Sequence, residues 1–332
     1  MKAEILWTRV CPLRCHYCGM VDGRTNSYNL ELWKKGIEEL KKRGCKFIAF
    51  YGAEPLYDVP KKLAEVVGYA EHLGIHTTVI SSGQVEGFKE IVKNLYERGL
   101  RSLSVSYDMI PLDKYSEQKS KEAIESLIWF RSLGDIRDIA AIATLTRTNY
   151  HLLSKTIHDL TSKGIWFFFD FIHPDRGQIG SKCRGNNEHL LFKEDDFSAL
   201  RIALEEVLYL KERGFLCHSS KPFLESIMKD NFSKLRHYDW NCAQEENFPA
   251  WLSVDCDGEV GICDDFRPQM PFSFLLHELG DEEKWQGYMN EFKRKTKEQC
   301  PGCCWNTHID AHLVKRGVLS IKDYVHGEGV EE

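Results

Sequence analysis

Residues 4–18 read EILWTRVCPLRCHYC, a short apolar run that leads directly into three cysteines, Cys11, Cys15 and Cys18. The run has the character of a buried strand. Three thiols cannot pair evenly into disulfides, and a closed structural zinc site takes four ligands. The stretch therefore predicts a strand whose carboxyl end delivers three sulfurs and leaves one coordination position open.

Working outward, the strand is the first of a regular alternation. Helical periodicity over 30–44 is followed by an apolar strand at 46–52, and the pair recurs as helix 59–74 and strand 75–81. Helix 88–99, strand 101–108, helix 119–134, strand 139–146, helix 151–164, strand 165–172 and helix 194–214 complete the series. Glycines close the helices at Gly44, Gly74, Gly99, Gly134, Gly164 and Gly214. Apolar strands, each followed by a helix, predict a parallel sheet covered by helices. The units fall short of the eight in a closed barrel, which leaves an open partial barrel or a doubly wound sheet. Both architectures bind ligands at the carboxyl ends of their strands, where the three cysteines lie.

The chain has 332 residues, 42% apolar and 28% charged, which is a globular composition. Its net charge of -6 argues against a nucleic-acid surface. No apolar run approaches the length of a membrane span and the first residues lack a signal peptide's character, so a cytoplasmic protein is expected, with no membrane partner. Twelve cysteines are many, and in a reducing compartment clustered cysteines read as metal or catalytic sites. Cys45, Cys183 and Cys217 stand alone and read as small core residues. Beyond Gly214 the rhythm breaks: WLSVDCDGEVGIC, 251–263, reads as a hairpin turning at Asp257-Gly258, and a helix over 282–298 precedes CPGCCW, 300–305. The expected division is 1–213 and 214–332.

CPLRCHYC resembles the cluster loop of the radical S-adenosylmethionine (radical SAM) superfamily, including the aromatic Tyr17 before the third cysteine. FYGAEPL resembles that family's Gly-Gly-Glu-Pro motif, with Gly52, Glu54 and Pro55 matching and Ala53 in place of the second glycine. The resemblance covers roughly residues 4–175 and implies an α/β fold, a partial (β/α)6 TIM-like barrel. It also implies a [4Fe-4S] cluster on Cys11, Cys15 and Cys18 whose free iron chelates SAM, with Glu54's motif holding the SAM amino group. Ser82, Ser104, Ser106 and Asp108, at the ends of the third and fourth strands, become candidates for SAM contacts.

The spacing of Cys242, Gly258 and Cys263, followed by Cys300 and Cys303, resembles the SPASM and twitch extensions and implies one auxiliary [4Fe-4S] cluster on those four cysteines. A structural zinc on the same set is the alternative, and Cys256, Cys304 and His308 remain over. His173, Asp175, Arg176 and Cys183 in the loop after the sixth strand, and Asp264 and Asp265 beside Cys263, are further candidates for substrate contacts. The resemblance implies reductive cleavage of SAM to a 5'-deoxyadenosyl radical, an electron donor of ferredoxin or flavodoxin type, and hydrogen abstraction from a peptide or protein side chain. Alternatives are a small-molecule substrate (sugar, nucleotide or cofactor precursor) and a non-catalytic iron-sulfur electron carrier. GAEP argues against the last, because an electron carrier has no use for a SAM site.

Overall fold

The structure, a computed structural model, describes residues 1–15, 17–109, 114–173, 187–229, 231–233, 235, 251–263, 270, 272–299 and 305–320. Six parallel strands run in chain order across one sheet: β1 (Lys2–Thr8), β2 (Phe47–Gly52), β3 (His76–Ser81), β4 (Ser102–Ser106), β5 (Asp138–Leu145) and β6 (Trp166–Phe171). Helices α1 (Leu30–Lys42), α2 (Pro60–His72), α3 (Phe88–Glu97), α4 (Lys114–Arg131), α5 (Leu153–Thr161) and α6 (Phe197–Glu212) follow them in turn. The architecture is the expected mostly parallel α/β sheet with helices, an open partial barrel. All six helix-closing glycines take positive φ.

Strand alternation decides what lies on each face. Ala3, Ile5 and Trp7 of β1, Ile48 and Phe50 of β2, and Phe167, Phe169 and Phe171 of β6 are buried in the core shared with the helices. The helices answer with apolar stripes such as Trp33, Ile37 and Leu40 on α1. The alternate residues, among them Lys2, Glu4, Thr78, Ser102, Ser104 and Asp138, line the inner face instead. The core thus sits between sheet and helices, and the concave face mixes these polar groups with apolar ones such as Ile80, Ala140, Ile142 and Phe168.

The segment after 213 joins this same sheet. β7 (Trp251–Val254) pairs in parallel with β1, with Ala3 opposite Leu252 and Ile5 opposite Val254, and β8 (Val260–Gly261) returns antiparallel to it. The expected hairpin is present, and its turn lies on a ring: a Cβ on Gly258 would meet the Tyr28 ring at 2.4 Å, at a φ of +82°. At the other sheet edge Phe167 bridges to Cys217. Helix α7 (Lys221–Met228), α8 (Glu282–Gln299) and α9 (Asn306–Lys315) complete the described elements. Helix α9 touches α7, β6 and β7 and so links the β6 edge of the open sheet to the strand beside β8 at the other end. Its Asn306 amide donates to Asp170 Oδ1 at 2.8 Å, and Ser220 Oγ donates to its Asp310. Burial pushes the Asp170 carboxyl up to about 7, against the pull of the Asn306 amide, with the Asp310 charge adding to the rise.

Candidate active site at the carboxyl ends of the strands

β1 delivers the chain into a loop over residues 9–24 that carries all three N-terminal cysteines. Cys15 is buried and Cys11 and Cys18 are partly exposed. A turn forms where the Cys18 amide donates to the Cys15 carbonyl, and the Leu13 amide points at Cys11 Sγ at 3.4 Å. Burial pushes the Cys11 thiol up to about 12, opposed by that amide and reinforced by the Glu54, Cys18 and Cys15 charges.

The end of β2 is stitched to the base of this loop. A Cβ on Gly52 would lie 2.5 Å from the Thr8 carbonyl oxygen, at a φ of +137°, so the position requires glycine. Ala53 does not adopt a positive φ, which is why alanine serves there. The Ala53 amide donates to Thr8 O at 3.0 Å and the Glu54 amide to Val10 O at 3.1 Å.

Glu54 itself faces away from the cavity. Its carboxylate is fully buried and accepts four hydrogen bonds: the Leu56 amide at 3.2 Å, Ser81 Oγ at 2.8 Å, and the Ser82 amide and hydroxyl at 2.7 and 2.5 Å. Burial raises its pKa against those donors. The side chain expected from sequence to meet SAM bolts the end of β2 to the end of β3, and Pro55 is buried beside it.

At β4, Tyr17 reaches across from the cysteine loop and donates to Asp108 Oδ2 at 2.9 Å. Burial first, then the Asp108 charge, raises the phenol's pKa. The Asp108 amide donates to Ser120 Oγ at 3.0 Å. Cys11, Cys15, Cys18, Tyr17, Gly52, Ser82, Ser106 and Asp108 all line one cavity of about 180 Å³, joined by Ala53, Ser81 and Thr144. Ser104 is not among them. It lines a second cavity of about 140 Å³ toward the amino ends of the strands, and Ile80 and Ile142 border both spaces. Sequence spacing along β4 could not separate Ser104 from Ser106, because both point inward at different depths.

Among the described residues no three His, Cys, Asp or Glu side chains form a site for a single metal ion. Three soft sulfurs from one loop around one cavity are the donor set of an iron-sulfur cluster. Of the second cysteine set, Cys263 follows β8 and is partly buried, while Cys242, Cys300, Cys303 and Cys304 lie outside the described residues. Asp175, Arg176, Cys183, Asp264 and Asp265 lie outside them too. Cys256 is buried in the hairpin, its thiol pushed up to about 12 by burial and by the Asp255 and Asp257 charges. His173 stacks on Trp305 at 4.1 Å, and His308 meets the Trp251 ring edge-on. Cys45 and Cys217 are fully buried with raised pKa values of about 11, as core thiols should be. No sequence motif singles out Arg9, Arg24 or Asp255, whereas Ser81 and Thr144 fall in the polar strand ends ISSG and TLTRTN. The signal for Arg9 was a charge set between an apolar strand and the first cysteine.

An open parallel barrel with a three-cysteine loop at the end of its first strand is the architecture to set beside known proteins. Residues 5–139 match the radical SAM superfamily. The PqqA peptide cyclase of Xanthomonas oryzae pv. oryzae (strain MAFF 311018) is 29% identical over 102 residues, 30% of this chain and 27% of that protein. SuiB of Streptococcus suis superposes with a TM-score of 0.59 at 16% identity, over 83% of this chain and 63% of that one. The structure of anSMEcpe with bound AdoMet and a Kp18Cys peptide superposes with a TM-score of 0.61 at 12% identity, over 98% of this chain and 99% of that one. The chain therefore spans about a quarter of the cyclase and under two thirds of SuiB. The structural likenesses, at these identities, establish the fold. No helix among the described residues is long and apolar enough to cross a membrane.

Proposed function

We propose that this chain is a radical SAM enzyme that abstracts a hydrogen atom from a peptide or protein side chain. The observation that carries the reading is the single cavity at the carboxyl ends of the strands, lined by three thiols of one loop, by the Gly52–Ala53 turn, and by polar residues ending β3 and β4. Cys11, Cys15 and Cys18 would hold a [4Fe-4S] cluster. Reduced by a ferredoxin or flavodoxin type donor, that cluster would supply the electron that cleaves SAM to methionine and a 5'-deoxyadenosyl radical. Backbone groups at Gly52 and Ala53, with Ser82, Ser106 and Asp108, are the groups placed to bind SAM. Glu54 acts through Ser81 and Ser82 by fixing where they stand. Tyr17 holds Asp108 in place against the cysteine loop.

Residues 1–213 would form the catalytic core and 214–332 an extension of SPASM or twitch type, with one auxiliary [4Fe-4S] cluster on Cys242, Cys263, Cys300 and Cys303. The stack of Trp305 on His173 supports a location near the end of β6 for the segment that follows Cys303. A peptide substrate is favoured by the relatives: a peptide cyclase, SuiB crystallised with its precursor peptide SuiA, and anSMEcpe crystallised with peptides.

The test is anaerobic incubation of the iron-reconstituted protein with SAM and dithionite, followed by chromatography for 5'-deoxyadenosine. None above a cluster-free control would sink the chemistry. Deuterated synthetic peptides, taken from short reading frames beside the gene, should then pass label into 5'-deoxyadenosine. Label arriving from a sugar or nucleotide and from none of the peptides would reject the peptide class.

A further inference from the structure

The loop carrying Cys11, Cys15 and Cys18 is closed at a narrow neck. The Arg9 amide donates to Arg24 O at 2.8 Å, and the Asp22 and Gly23 amides donate to Arg9 O at 3.2 and 3.0 Å. Both flanking guanidinium groups then converge on a single carboxylate from the far end of the chain. Arg9 donates from Nε at 3.1 Å to Asp255 Oδ1 and from Nη2 at 3.0 Å to Oδ2, and Arg24 donates from Nη2 to the same Oδ2 at 3.1 Å. Arg9 is 0% and Asp255 2% exposed. Asp255 lies one residue past β7, whose register against β1 brings it to the neck, and its Oδ1 also accepts from the Cys256 amide at 2.8 Å. Among the described residues, Asp22 also stands at the neck, 3.7 Å from Arg9 and 3.1 Å from Arg24, as does Asp257, 3.4 Å from Arg24.

We propose that Asp255 is a positioning residue for the first metal site: the C-terminal segment clamps the neck of the cysteine loop and so presents its three thiols in a fixed arrangement. A buried arginine stripped of its carboxylate is strongly unfavourable, so the clamp cannot be released without opening the neck to water. The inference rests on reading Cys11, Cys15 and Cys18 as ligands, but its main test needs no metal.

The experiment is pulsed iodoacetamide labelling of the metal-free protein, read per cysteine by mass spectrometry, with buried Cys45 and Cys217 as internal controls. Asp255→Asn should label Cys11, Cys15 and Cys18 about tenfold faster or more while the controls stay protected. Arg24→Gln removes one arm of the clamp from a half-exposed position and should give a smaller acceleration confined to the same three thiols. If Asp255→Asn also exposes Cys45 and Cys217, the Arg24→Gln variant decides. Unchanged loop labelling in Arg24→Gln, or in both variants, overturns the clamp. After reconstitution, Arg24→Gln should keep its iron yet change the electron paramagnetic resonance spectrum of the reduced first site, and an identical spectrum counts against positioning. A wild-type protein that takes up no iron would defeat the functional reading while leaving the labelling result standing.

Discussion

The two cavities of the barrel lumen are built from the same strands and differ in chemistry. The upper one is ringed by thiols, short hydroxyls, backbone turns and the Tyr17–Asp108 pair, while the Glu54 carboxylate behind its wall is saturated by Ser81 and Ser82. The lower one holds long charged or aromatic groups, including Lys2, Glu4, Arg137, Asp138 and Trp166, and some polar atoms, such as His76 Nδ1 and Thr78 Oγ1, have no hydrogen-bond partner among the described residues. Each strand alternates identically along its length. What differs is that the carboxyl ends open into loops that can bring backbone donors and cysteines together, whereas the amino-end cavity is lined mostly by strand residues. Function gathers where the loops are.

The sharpest way to break this comparison is Cys15→Ala. It should abolish 5'-deoxyadenosine formation and lower iron content while leaving the thermal transition of the barrel nearly in place. Residual SAM cleavage in that variant would remove the upper cavity from the chemistry. Next in size is Glu54→Gln, which sets an amide NH2 against donors that a carboxylate had satisfied. It should lower unfolding free energy by about 2–4 kcal/mol in urea titrations and weaken SAM binding, and an unchanged urea midpoint would mean that the bolt between β2 and β3 carries nothing.

Tyr17→Phe deletes one hydrogen bond to a charged acceptor, a loss of about 1.5–3 kcal/mol confined to the loop. Faster hydrogen exchange at residues 11–18, with β4 unaffected, is the expected reading. The smallest effect belongs to the lower cavity. Burial pushes the Asp138 carboxyl up to about 6, partly offset by Ser102 and Arg137. Its folded pKa lies above the unfolded one, so the ionised group lowers stability above that pH and costs nothing below about pH 4. Asp138→Asn should therefore stabilise the protein by about 1 kcal/mol at pH 8, water access holding the gain under the ~3 kcal/mol the shift would allow, and by nothing at pH 4. The variant should leave 5'-deoxyadenosine formation unchanged. A loss of product there would show that the two cavities work as one.

The six core strands were legible because each repeats a local signal, an apolar run bounded by an amphipathic helix and a glycine. The length of α4 was not: it begins at Lys114, ahead of the apolar periodicity, because its first turns are polar. Helix α7 carries a start signal, Ser220 capping the Phe223 amide with Pro222 in the first turn, but at eight residues it is too short for a periodic stripe to stand out. The pairing of β7 with β1 lay beyond reach, since a parallel edge contact between chain ends has no local signature. The same limit applies at the site. The cysteines and the glycine of GAEP were readable as motifs, whereas the inward turn of Glu54 and the meeting of Arg9 with Asp255 depend on contacts between strands.

The register of β7 on β1 also sets an order of events during synthesis. Until the ribosome has released residues 251–255, β1 has a bare edge and the Arg9 guanidinium has no Asp255 to receive it. The first cysteines to emerge are thus among the last to acquire their surroundings. On the proposed function, metal loading would follow translation, and a truncated chain ending before Trp251 would leave the tunnel with its thiols present but without the Asp255 contact at the neck of their loop.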